Sequence, residues 1–125
     1  MDPGILSMIE QRGILGITLR LGACNITDEY ALPISKAARK GQLRDIELYG
    51  NRITNDGCDA IAAMLGDTNC NLHELNLHNN DIGVKGAISI ANSLIGNTKL
   101  KRLIFSNNRF SSTYRPNPNV QNAFS

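Results

Sequence analysis

The sequence predicts an α/β fold: a right-handed solenoid of about four similar units, with a parallel β-sheet on its concave side and α-helices on its convex side. Two observations lead to this fold class. An eleven-residue pattern recurs along the chain, and its ninth positions, residues 24, 51, 80 and 108, are 27, 29 and 28 residues apart. Each of the first three copies is followed by a segment whose apolar residues recur at helical spacing. Self-similarity at such a period is the signature of stacked repeats.

The clearest copy of the pattern is residues 72–82, in which positions 1, 4, 6 and 11 are apolar and position 9 is asparagine. Two further copies keep this frame, and a degenerate copy precedes them with glycine at position 1. In chain order, positions 1, 4, 6, 9 and 11 are Gly16, Leu19, Leu21, Cys24 and Ile26; Leu43, Ile46, Leu48, Asn51 and Ile53; Leu72, Leu75, Leu77, Asn80 and Ile82; and Leu100, Leu103, Phe105, Asn108 and Phe110.

These units resemble leucine-rich repeats. Their long spacing, the helix in every unit and the mixture of Asn and Cys at position 9 are similar to the ribonuclease-inhibitor-like subclass, which also occurs in nucleotide-binding immune receptors and in the activating protein of the Ran GTPase. The resemblance implies a leucine-rich-repeat domain over residues 16–110. Residues 1–15 are then expected to be a lead-in helix or a partial repeat. Residues 111–125 are expected to be a flexible tail, because Ser, Asn and Pro are abundant there.

Composition limits the class of protein and of partner. A chain of 125 residues suggests one domain, and 19% charged with 42% hydrophobic residues suits a soluble globular protein. A net charge of +2 is too small to argue for nucleic acid or a membrane surface as partner. No apolar run reaches the roughly 18 residues of a spanning helix, and the N-terminus does not resemble a signal peptide. Three cysteines without a CxxC pattern favour free thiols in a reducing compartment, so we expect a cytoplasmic protein.

The strand segments 46–49 and 75–78 alternate apolar and polar residues, which places their leucines in the core and their polar residues on the opposite face. Strands of neighbouring units are expected to pair in parallel, and parallel pairing requires a return crossover. The segments between the strands carry apolar residues at i, i+3, i+4 and i+7, the spacing of one face of a helix. Each unit is therefore predicted to be a strand followed by a helix.

Capping residues predict where the helices begin and end. In the lead-in helix Asp2 can cap, Pro3 suits the first helical position and Gly13 suits the stop. Because proline is unfavourable inside a helix, the first crossover helix is expected to begin near Leu32–Pro33, with residues 27–31 as a loop. Across the repeats, the expected start residues are Thr27, Thr54 or Asn55, and Gly83, and the expected stop residues are Gly41, Gly66 and Gly96.

The position-9 residues are predicted to be structural. Where a strand turns into a loop, backbone N–H and C=O groups lack a ladder partner, and a buried Asn carries donors and an acceptor that satisfy them. Cysteine does this only weakly, in keeping with the less regular first unit. The predicted structural ladder is Cys24, Asn51, Asn80 and Asn108.

The outward strand positions 3, 5 and 7 form the candidate binding surface, called the concave face below. In chain order these positions hold Thr18, Asp45, Glu74 and Arg102; Arg20, Glu47, Asn76 and Ile104; and Gly22, Tyr49, His78 and Ser106. Tyr49 beside His78, flanked by Glu47 and Asn76, is predicted to be the main contact, because aromatic residues are favoured at binding hot spots. The candidate partner-binding residues are Arg20, Asp45, Glu47, Tyr49, Glu74, Asn76, His78 and Arg102. The alternative is that these polar residues are simply solvated.

Other chemistry is not predicted. His73 and His78 point to opposite sides of a strand, so no metal site is expected, and no phosphate-binding loop or catalytic motif is present in the sequence. Cys70, in the linker before Leu72, is expected to be exposed and is a candidate regulatory thiol. Asn25 begins an Asn-Ile-Thr glycosylation pattern, which matters only in a secreted protein.

The predicted function is non-catalytic recognition of a protein partner through the concave face, without cofactor, metal, nucleic acid or membrane. Two alternatives stay open. The resemblance permits a regulatory fragment of a larger GTPase-activating or immune-receptor-type repeat protein. A structural or assembly module would instead associate with itself through its uncapped solenoid ends.

Overall fold

The computed structural model describes residues 1–109, in which helices and strands alternate from the N-terminus. The elements are α1 (Pro3–Leu15), β1 (Thr18–Arg20), a 3₁₀ helix (Asp28–Tyr30), α2 (Ala31–Ala38), β2 (Asp45–Glu47), α3 (Asn55–Leu65), β3 (Glu74–Asn76), α4 (Val84–Ser93) and β4 (Arg102–Ile104). Phe110 and the predicted tail lie outside the described residues. Within residues 1–109, no helix has both the length and the apolar character needed to cross a membrane.

The four strands form one parallel sheet in the order β1-β2-β3-β4, so each unit pairs with its neighbours in the chain. The register joins equal positions of the repeat: at position 4, Leu19 pairs with Ile46, Ile46 with Leu75, and Leu75 with Leu103. A helix lies between each strand and the next. The predicted α/β solenoid is confirmed.

The core lies between the sheet and the helices. Leu48, Leu77 and Phe105, at position 6 of three consecutive units, are fully or almost fully buried. Burial of such a side chain contributes roughly 1.5–3 kcal/mol. Because the same positions recur in every unit, the core is continuous along the stack. The face of the sheet opposite the concave face is therefore packed against the core.

The lead-in helix α1 begins as predicted but ends later. Asp2 Oδ1 accepts hydrogen bonds from the N–H groups of Gly4 and Ile5, at 2.7 and 3.1 Å. The predicted stop at Gly13 is wrong, since the helix continues to Leu15. A Cβ at Gly13 would lie 2.8 Å from Ala37 Cα in α2. This glycine therefore allows two helices to approach closely.

The first crossover also differs from the prediction. The expected loop over residues 27–31 is a 3₁₀ helix followed directly by α2, which begins at Ala31. Pro33 is then the third residue of α2, where a backbone N–H has no intrahelical partner to lose. The proline is tolerated because the 3₁₀ turn places it in the first turn of the helix.

The remaining helix boundaries follow the predicted residues. Thr54 Oγ1 accepts from the N–H of Asp56 at 3.3 Å and caps α3, while α4 begins directly after Gly83. Gly66 caps the C-terminus of α3. Gly41 and Gly96 follow α2 and α4 by a few residues, with φ of 90° and 82°. Both adopt the left-handed conformation that glycine accepts without strain.

Candidate functional site

The concave face is built by strand positions 3, 5 and 7, whose rows run across the sheet. Position 3 is continuous, since Thr18 pairs with Asp45, Asp45 with Glu74, and Glu74 with Arg102. Parallel strands lie about 4.8 Å apart. Side chains of one row are therefore neighbours, and the sheet register brings the predicted candidates into a single surface.

Charges on this face are arranged with acids in the middle and arginines at the sides. Arg20 Nε lies 3.9 Å from Glu47 Oε2, and Arg102 Nη1 lies 3.4 Å from Glu74 Oε1. Both arginines are mostly exposed, so each pair contributes at most about 1 kcal/mol to stability. Asp45, which lies in the same row as Glu74 and Arg102, has no ion pair among the described residues. The concave face therefore carries exposed charges that the fold pairs only weakly.

Tyr49 and His78 lie two residues after the ends of β2 and β3, and their rings contact different units, the first and the fourth. The ring of Tyr49 covers Gly22, so closely that a Cβ at that glycine would overlap it. His78 Nδ1 lies 2.9 Å from Ser106 Oγ, and the His78 N–H donates to Asn76 Oδ1 at 3.0 Å. The two rings therefore offer two separate points of contact, one on each half of the concave face.

The position-9 asparagines join each unit to the one before it. Asn51 Oδ1 accepts from the N–H of Ile26 at 2.8 Å, and its Nδ2 donates to Leu21 O at 2.8 Å. Both partners belong to the preceding unit. The same two bonds are made by Asn80, to Ile53 and Leu48, and by Asn108, to Ile82 and Leu77.

Cys24 is the ladder residue of the first unit. Since each ladder side chain serves the unit before it, Cys24 has no strand on that side within residues 1–109. Its Sγ donates instead to Gly22 O in its own unit, at 3.3 Å. Because residues 1–109 contain no strand before β1, a thiol at this position does not leave a buried backbone group of a preceding strand without a partner.

A second set of polar contacts, on the helix side, was not predicted. Asp28 Oδ1 accepts from the N–H of Thr54 at 2.8 Å, at the start of α3. Asn55 Oδ1 accepts from the N–H groups of Gly83 and Gly86, at 2.8 and 2.9 Å, at the start of α4. Each side chain thus accepts hydrogen bonds at the N-terminus of the helix in the following unit: Asp28 from the cap residue of α3, and Asn55 from Gly83 and Gly86 of α4.

The sequence does carry a signal for this capping. Asp28 and Asn55 both lie four residues after the ladder position of their units, and Gly57 and Gly86 both lie six residues after it. A Cβ at Gly86 would lie 2.8 Å from Asn55 Oδ1, and one at Gly57 would overlap Asp28 Oδ1. The signal in the sequence is therefore a pair of residues: a glycine six residues after the ladder position of one unit, and Asp or Asn four residues after the ladder position of the previous unit.

The thiols are less accessible than predicted. Cys58 and Cys70 are buried, which corrects the expectation that Cys70 is exposed and weakens its case as a regulatory site. Burial raises the pKa of the Cys58 thiol to about 12, with smaller contributions from Asp28 and Asp59. Burial is also the main cause that raises the pKa of Cys70. Among residues 1–109, no three His, Cys, Asp or Glu side chains are grouped to hold a metal ion.

Comparisons with known proteins agree with this architecture. A family model described as leucine-rich repeat matches residues 43–62 and 68–91. The NACHT, LRR and PYD domains-containing protein 5 of Homo sapiens is 33% identical over 92 residues, which is 73% of this chain and 8% of that protein. The solved structure of leiomodin-1 actin-binding site 2 matches with a TM-score of 0.69 at 24% identity, covering 80% of this chain and 58% of that one.

The chain therefore spans a small part of this curated relative, and its likeness to the solved structure concerns the fold. The ribonuclease-inhibitor-like subclass stays a prediction. The matched repeats, the equal-position register of the sheet and the buried asparagines that link consecutive units lead to one conclusion: the chain is a leucine-rich repeat protein.

Proposed function

We propose that the chain is a protein-recognition module that binds its partner through the concave face. The observation that supports the proposal is that the side chains of the concave face contribute little to holding the fold together. The sheet is held by buried leucines and by the asparagine ladder, while Tyr49 is 41% exposed on its open side. A surface fixed in advance loses little entropy on binding, so the exposed aromatic ring and the charges around it are available for recognition.

The charge arrangement indicates what kind of partner fits. Asp45, Glu47 and Glu74 form an acidic centre, and the arginines at either side are only loosely tied to it. A partner with a cationic patch flanked by acidic residues is complementary to this face. Association with such a partner should become slower as salt is added, because charge complementarity mainly sets the rate of encounter.

The similar proteins support the general class of this function. The solved structure of similar fold is described as an actin-binding site, which is an interaction with another protein. That likeness is one of fold, so it supports a protein partner without naming one for this chain.

The experiment is an affinity pull-down that compares the parent chain with a double Tyr49→Ala/His78→Ala variant. Ile88→Ala on α4 is the matched control, because Ile88 is 40% exposed and lies on the helix side. We expect the double variant to lose a concave-face partner by about 30-fold or more in affinity, as hot-spot residues do, and the control to keep it. Equal retention by both variants would contradict the proposal.

Gly22→Ala sharpens this experiment. The added Cβ would displace the ring of Tyr49 without changing any charge. We expect a loss of affinity in the same direction as the Tyr49 change but smaller, on the order of fivefold, with unfolding unchanged within about 1 kcal/mol. If Gly22→Ala binds the partner with the same affinity as the parent chain, the position of the Tyr49 ring does not matter for binding.

A second candidate is a regulatory segment of a longer multidomain protein. The 33% identity to a human protein with NACHT and PYD domains, of which this chain spans 8%, favours it. In that case the concave face would contact another domain of the same polypeptide. Calorimetric titration of the chain with the NACHT domain of that relative distinguishes the two candidates, because only the second expects heat of binding that the concave double variant abolishes.

A further inference from the structure

A groove lies between the consecutive helices α1 and α2, on the helix side of the molecule, and is called the α1–α2 groove below. It has a volume of about 370 Å³. Its α1 wall is formed by residues spaced by four, which therefore lie on one face of the helix over about 12 Å. A groove of this shape between two helices is one that a third helix fills. The side chains that line it include Leu6, Glu10 and Ile14 from α1, and Pro33, Lys36 and Lys40 from α2 and the turn after it.

A close approach of the two helices gives the groove a small apolar floor. A Cβ at Gly13 would lie 2.8 Å from Ala37 Cα, and Ala37, which lines the groove, is 2% exposed. Ile14 lies beside Gly13 in the chain and is 58% exposed. An apolar side chain that enters the groove would therefore contact Ala37 and Pro33 and cover Ile14, which removes apolar surface from water.

The two lysines of the groove are not required by the repeat. Lys36 and Lys40 lie 12 and 16 residues after the ladder position of their unit, and the residues at the same positions of the next unit are Ala63 and Asp67. Both lysines are exposed, and neither has an ion pair or a side-chain hydrogen bond among residues 1–109. Their charges are therefore available to a partner.

The charges of the groove distinguish between possible occupants. Among the described residues that line it, the charged ones are Glu10, Lys36 and Lys40, which leaves an excess of one positive charge. A second copy that docked by this groove across a two-fold axis would bring four lysines to two glutamates and double that excess. An acidic helix neutralises the excess instead, and two acidic residues four apart on it match the two lysines, which are also four apart.

We propose that the α1–α2 groove binds an acidic amphipathic helix of a partner protein. The apolar face of that helix packs on Ile14, Pro33 and Ala37, as in other complexes in which a helix lies in a groove. Acidic side chains on one flank of the helix pair with Lys36 and Lys40. The groove lies on the opposite side of the core from the concave face, so it is a second binding surface that is independent of the first.

The test uses the ¹⁵N-labelled full-length chain and a capped synthetic peptide of about 16 residues, which is long enough for an alanine-rich helix. The acidic peptide has leucines on one face and two glutamates, four residues apart, on one flank. The basic peptide has lysines in place of these glutamates. We expect the acidic peptide to give saturable NMR shifts centred on the amides of Ile14, Lys36 and Ala37, and the basic peptide to bind at least about tenfold more weakly.

The role of the lysines is tested by a reversal of charge. Lys36→Glu/Lys40→Glu should bind the acidic peptide at least about tenfold more weakly than the parent does, and the basic peptide more tightly. Lys85→Glu/Lys101→Glu is the matched control, because both lysines are exposed and the change of net charge is the same. We expect the control to bind both peptides within about threefold of the parent.

The role of the apolar contact is tested by a second matched pair. Ile14→Asp should weaken binding of the acidic peptide at least about tenfold, whereas Ile88→Asp on α4, at a site that is 40% exposed, should not. Equal binding of the two peptides by the parent, shifts centred on Tyr49 and His78, or the absence of shifts would overturn the proposal. Sedimentation showing a dimer without peptide, which Ile14→Asp dissociates, would assign the groove to a second copy and overturn it too. Because Tyr49→Ala/His78→Ala leaves the groove intact, failure here is separate from failure of the concave-face proposal.

Discussion

Replacement of Asn80 by alanine tests the arrangement from which the concave face is built. Asn80 is buried, its Oδ1 accepts from the N–H of Ile53 at 3.1 Å, and its Nδ2 donates to Leu48 O at 2.9 Å and Leu77 O at 3.1 Å. Without the amide, the N–H of Ile53 loses its acceptor in a fully buried residue of the preceding unit, whereas Leu48 O keeps its bond from Asn51 Nδ2 at 2.9 Å. An unsatisfied buried group costs about 1–3 kcal/mol, and we expect a loss in this range.

Urea unfolding followed by circular dichroism measures this loss, provided the slope with denaturant is the same in parent and variant. Asn92→Ala is the control, because Asn92 is exposed on α4 and the chemical change is identical. We expect the control to stay within about 0.5 kcal/mol of the parent. Asn108→Ala, whose side chain is only half-buried, should fall between the two.

If Asn80→Ala is as stable as Asn92→Ala, the amide does not link neighbouring units. The pairing of equal repeat positions, and with it the rows of the concave face, would then be wrong. A loss that appears in the slope and leaves the midpoint unchanged would point to a change in the denatured state.

Two further outcomes follow from the packing between units and from the buried thiols. Gly86→Ala should lower the free energy of unfolding by about 1–3 kcal/mol, because its Cβ would lie 2.8 Å from Asn55 Oδ1, whereas Gly66→Ala, with 3.5 Å to its nearest neighbour, should be neutral or slightly stabilising in the same urea assay. A thiol reagent at pH 8 should label Cys58 and Cys70 only after unfolding, and rapid labelling of both in the native protein would contradict their burial. Because folding raises the pKa of Cys58 from 9.0 to about 12, the stability this thiol contributes is intact below pH 9 and is lost between pH 9 and 12. The parent should therefore lose stability more steeply than Cys58→Ala over that range.

The repeat frame could be predicted because every unit repeats the same physical requirement. A strand of period two needs an apolar residue such as Leu75 on its inner face, and the turn after it needs a buried amide such as Asn80. Once these recur every 27–29 residues, parallel pairing in equal register is the arrangement that buries all of them together. The rows of the concave face follow from that register without further information.

Features decided by contacts between units were harder to predict. Gly13 looks like a stop signal in the local sequence, but it lies inside α1 because α2 packs directly against it. The ring of Tyr49 can lie where it does because Gly22, in the preceding unit, has no side chain. In both cases the structure at one residue depends on another residue about 25 positions away in the chain, which the local sequence does not indicate.

The two sets of polar contacts act in opposite directions along the stack. On the sheet side, the asparagine ladder reaches back to the preceding unit, as Asn51 does. On the helix side, Asp28 and Asn55 reach forward and accept hydrogen bonds at the N-terminus of the next helix. An interface with both contacts is closed at its two edges, so neighbouring units cannot slide or rotate against each other without breaking one set of bonds. Val84 occupies the same repeat position as Asp28 and Asn55, but its side chain cannot accept a hydrogen bond, so among residues 1–109 this helix-side contact joins the first unit to the second and the second to the third. We therefore expect the first three units, which are joined on both sides, to unfold together.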